Sequence, residues 1–115
     1  MRRRVPQIKD LEHLVSGISP PDRHSLVSTY IKQDEELPTP AEAYALPTGT
    51  HVWAIVGHML VSGDDVDKAA CYYDLNPQAV CAAVIYAVEH PHAIAQRLVA
   101  NASYWTSPEL ESTRS

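Results

Sequence analysis

Four glycines in 115 residues cannot supply a glycine-rich phosphate cradle, and no such loop is spelled. Two cysteines, Cys71 and Cys81, exclude a disulfide framework. Both fall inside stretches that read as helix, which points to reduced, buried thiols in a cytoplasmic protein. CxxC and HExxH are missing, so the six histidines lack the spacing of a zinc site. His51 and His58 belong to one helical stretch, while the proline inside His90-Pro91-His92 sends its two imidazoles apart. No apolar run approaches the roughly 20 residues of a membrane span, and no apolar stretch follows the basic start, so a secretory signal is not expected. Cations are scarce as well. Between Ala41 and Ser103 only Lys68 and Arg97 face Glu42, Asp64, Asp65, Asp67, Asp74 and Glu89, within a chain of net charge −5. Phosphate contacts usually carry most of the affinity for nucleic acid, and this balance opposes them.

What is present suits a folded chain of one-domain size. Apolar residues reach 45 %, enough for a modest core, and charged residues only 20 %, low for a disordered chain. No internal repeat or low-complexity tract interrupts it.

The organising stretch is Asp64–His90. Val66, Ala69, Ala70 and Tyr73 have the spacing of a buried helical stripe. The turn Asp74-Leu75-Asn76 follows. Asn76 is a good N-cap and Pro77 a good first helical residue, because the missing proline N–H is not needed there. A second helix then runs Pro77–Glu89, with Val80, Ala83, Val84, Ala87 and Val88 facing inward. Two short helices across so tight a turn describe a helix-turn-helix. Upstream, Val52, Ile55, Val56, Met59 and Leu60 predict a helix ending at Gly63. Asp64 and Asp67 stand where a capping box is wanted. The core is thus three helices, over 51–62, 65–73 and 77–89. A fourth follows the His90-Pro91 break, with Ile94, Leu98 and Val99 turned in and Asn101 as its stop.

The flanks are simpler. Met1–Pro6 holds Arg2, Arg3 and Arg4, either a solvated terminus or an arm reaching a DNA groove. Ile8, Leu11, Leu14 and Val15 predict a helix over 7–18, closed by Gly17 and Pro20-Pro21. Leu26, Val27, Tyr30 and Ile31 predict another over 22–35. Neither has much core of its own, so both need a surface to pack on. Residues 34–47, with Pro38, Pro40 and Pro47, read as a linker with one helical turn near Ala41–Tyr44. The division is a helical N-terminal extension over 1–40, the helix-turn-helix domain over 41–103 and a C-terminal tail over 104–115.

Gly49-Thr50, the helix with Trp53 and Ile55, Ser62-Gly63-Asp64, Ala69 to Tyr73, Leu75, Val80, Ala82-Ala83, Tyr86 and His90 follow one another in an order that resembles the domain of unknown function 433 family. The likeness covers about half the chain, from Thr48 to Asn101. It implies an all-α fold with a homeodomain-like helix-turn-helix core. It also implies the role many bacterial or archaeal members are regarded as having: an antitoxin encoded beside a small nuclease-type toxin. The chain departs from the family at His51, where an arginine is usual, and in the reduction of a short N-terminal strand to Ala45-Leu46-Pro47. The first forty-odd residues have no counterpart.

Two uses of the second helix compete. Gln78 near its start can pair with an adenine edge. Ala79, Ala82 and Tyr86, off the buried stripe, make a small-residue surface suited to close packing on protein. The acidic balance favours protein. The candidate protein contacts are therefore Trp53, Ala82, Tyr86, Tyr104 and Trp105, and the candidate DNA contacts Arg2, Arg3, Arg4 and Gln78. The residues supply no nucleophile with a base, and Asp64-Asp65-x-Asp67 is explained by capping. The expectation is a non-catalytic, cofactor-free, metal-free, antitoxin-like homodimer, with a DNA-binding regulator as its alternative.

Overall fold

A computed structural model describes residues 8–33, 42–63 and 65–100. The described chain is mostly helical, with a small three-stranded sheet.

It opens with a 3-10 segment, Ile8–Leu14. Three residues per turn put Ile8, Leu11 and Leu14 in one row. Ile8 and Leu11 are buried, as is Val15 just beyond. Helix α1, Pro20–Tyr30, follows; the Ser19 side chain caps it and the proline pair occupies its first positions. Arg23 ties the two together. Its Nη2 donates to Glu12 Oε2 (2.8 Å) and to the Val15 carbonyl (2.7 Å), and its Nε to the Ile18 carbonyl (3.0 Å). A guanidinium so placed satisfies carbonyls that the end of a short helix leaves open.

The helix expected over 22–35 starts earlier and stops at Tyr30, because Ile31 is extended. Strands β1 (Ile31–Lys32), β2 (Tyr44–Ala45) and β3 (Thr50–His51) form an antiparallel sheet in that order. Ile31 pairs with Ala45, and Ala45 with Thr50. The Ala41–Tyr44 helical turn is corrected in part: Tyr44 is a strand residue. The turn after β2 closes through Gly49, at φ 80, whose N–H donates to the Ala45 carbonyl (2.8 Å). A β-carbon there would force a strained backbone. Ala43 and Ala45 are buried against the helices.

Helix α2, Val52–Ser62, buries Val52, Ile55, Val56 and Met59 and leaves Leu60 half-buried, as the spacing predicts. It ends at Gly63, φ 109. Helix α3, Val66–Tyr73, is capped by Asp65, whose Oδ1 accepts from the Lys68 N–H (3.0 Å); Asp64 lies outside the described residues. Asp74 terminates α3 in the left-handed conformation, φ 57 and ψ 48. Leu75 then turns into the core. Helix α4, Pro77–Glu89, starts on Asn76, whose Oδ1 accepts from the Gln78 N–H (2.8 Å). Helix α5, Pro91–Ala100, buries Ile94 and half-buries Leu98, but Val99 is 75 % exposed instead of facing in. Arg97 on α5 is ion-paired with Glu42.

A single core runs from Ile8, Leu11 and Val15 through α2 and α3 to Ile94 on α5, with α4 at its centre. Helices α1, α2 and α3 and the 3-10 segment all pack on α4, α1 most extensively. The N-terminal helices therefore share the core of the rest. No described helix is long and apolar enough to cross a membrane.

Candidate interaction surface

Ala82 and Tyr86 are not on an outer face. Ala82 is wholly buried, Tyr86 is 6 % exposed, and Ala79 beside them is buried too. The reason lies in α4 itself. PQAVCAAVIYAVE carries one charge, Glu89, and a helix apolar on all sides is stable only when surrounded. Buried α4 residues run from Ala79 to Ala87, interrupted only by the half-buried Cys81. On α1, Leu26, Val27 and Tyr30 pack against the core this helix centres. Polar tips close the seam: the Tyr30 hydroxyl donates to Gln78 Oε1 (3.0 Å), and the Tyr86 hydroxyl to Gln33 Oε1 (3.1 Å). The outward placement expected for Ala79, Ala82 and Tyr86 is thereby corrected. The small-residue face of α4 is filled from within the chain, and Gln78, though exposed, has its amide oxygen engaged by Tyr30. Burial pushes the Tyr86 hydroxyl pKa up, with Glu89 adding to it.

Trp53, the third described protein-contact candidate, is half-buried at the start of α2, its ring stacked on His51 at 5.9 Å. Arg2, Arg3, Arg4, Tyr104 and Trp105 lie outside the described residues.

The outward aromatic surface is elsewhere, where α2 meets α3. The His58 ring stacks on Tyr72 (centroids 4.7 Å apart, planes within 18°), and Tyr72 meets Tyr73 edge-on at 4.8 Å. Tyr73 is half-buried and anchors the group, its hydroxyl donating to the Ala54 carbonyl one turn before His58 (3.2 Å). Tyr72 remains 69 % exposed, and Val61, one turn beyond His58, is 71 % exposed. Together with Val99 these are the exposed large apolar side chains among the described residues. The sequence carried a signal for the ledge. Tyr72 falls off the stripe of Val66, Ala69, Ala70 and Tyr73, so its ring does not turn into the core with them.

The charges on α3 and at its ends are mostly negative. Helix α2 has no charged residue. Asp65, Asp67 and Asp74 surround α3, with Lys68 as the one cation on α3. Cys71, expected to be buried, is exposed on α3, because only Ala69 and Ala70 face the core fully there. Cys81 is half-buried; burial first and the Asp67 charge second push its thiol pKa up, which disfavours the reactive thiolate. No group of three or more His, Cys, Asp or Glu able to hold a metal ion occurs among the described residues.

No protein-family model matches the chain, and no similar curated protein or solved structure is found.

Proposed function

We propose that the chain is a non-catalytic, antitoxin-like protein of the cytoplasm that binds and neutralises a partner toxin of nuclease type, and that it self-associates as a dimer. In this reading α2, α3 and α4 are a helix-turn-helix core of homeodomain-like descent, put to use in binding protein. A nuclease must present cationic surface to phosphates. A chain of net charge −5 with an exposed aromatic ledge is complementary to such a surface in charge and in apolar character. Inhibition would be steric: the bound chain occludes the cleft through which nucleic acid enters.

The observation that carries this reading against its alternative, a DNA-binding regulator, is the burial of α4. A recognition helix must offer side chains along one face to the major groove. Here α1 occupies that face. The test is co-expression with the product of the neighbouring open reading frame. Co-purification, with relief of that product's toxicity, is the expected result. Failure to co-purify, together with tight binding to its own upstream DNA that falls steeply with salt, would establish the regulator instead.

A further inference from the structure

We draw no further inference here: the strongest candidate, the exposed aromatic surface patch of His58 and Tyr72 where α2 meets α3, carries nothing because nothing in the structure shows what covers it.

Discussion

Ala82 is a small side chain at zero exposure beneath a helix that itself buries no residue completely. The volume at that position sets how closely α1 approaches α4. Ala82→Leu should overpack the seam and destabilise the fold by about 1–3 kcal/mol. Ala82→Glu would bury an unpaired carboxylate and cost more than about 3 kcal/mol. On an outward face either change would be nearly neutral, so chemical denaturation of the two variants distinguishes the placements. The Glu12–Arg23 pair acts at the same scale. Its hydrogen bond to Arg23 is the main reason that the Glu12 carboxyl pKa is lowered. A lowered carboxyl stabilises the folded chain fully above its unfolded pKa, and that contribution is lost as pH falls through the folded value. The melting temperature of Glu12→Gln should therefore lie below that of the parent at neutral pH and converge with it in acid. Arg23→Ala should cost more than Glu12→Gln at every pH, because Arg23 also donates to the Val15 and Ile18 carbonyls.

Among the elements, the α3–turn–α4 unit was legible almost residue by residue. Its punctuation is local chemistry: Asn76 and Pro77 start a helix wherever they are placed, and Asp74 tolerates the left-handed conformation better than most residues. Asn76→Ala should cost about 1 kcal/mol. Asp74→Gly should be tolerated, whereas Asp74→Ala should be about 1–2 kcal/mol less stable than Asp74→Gly; thermal melts of the three variants check both statements. The sheet was not legible. Strands of two residues show no alternation, and Ile31 continues the helical spacing of Val27 and Tyr30 although its partner is the distant Ala45. The two faces of α4 were read unequally for a related reason. Val80, Ala83, Val84 and Ala87 form a stripe on any helical wheel. What covers Ala79, Ala82 and Tyr86 is a segment some fifty residues earlier, which periodicity cannot bring alongside. The all-apolar character of α4 was the available clue, and it indicated a helix enclosed on every side.

For the molecule as a whole, the N-terminal helices are structural, since Leu11 and Val15 are buried in the same core as Val80 and Ile94. A chain lacking residues 1–33 should expose the Ala79–Ala82–Tyr86 face and lose its cooperative unfolding transition or associate through that face. Circular dichroism melts and size-exclusion chromatography would show which. Enclosing α4 also divides the surface. Helix α4 is inside, and the exposed large apolar side chains among the described residues, Val61, Tyr72 and Val99, stand on α2, α3 and α5. The most direct check on that division is methyl relaxation in the presence of a neutral gadolinium chelate. The account predicts that the Val61 methyls broaden strongly while the Ala82 methyl is untouched. A broadened Ala82 methyl beside protected Val61 methyls would place α4 on the surface and contradict it.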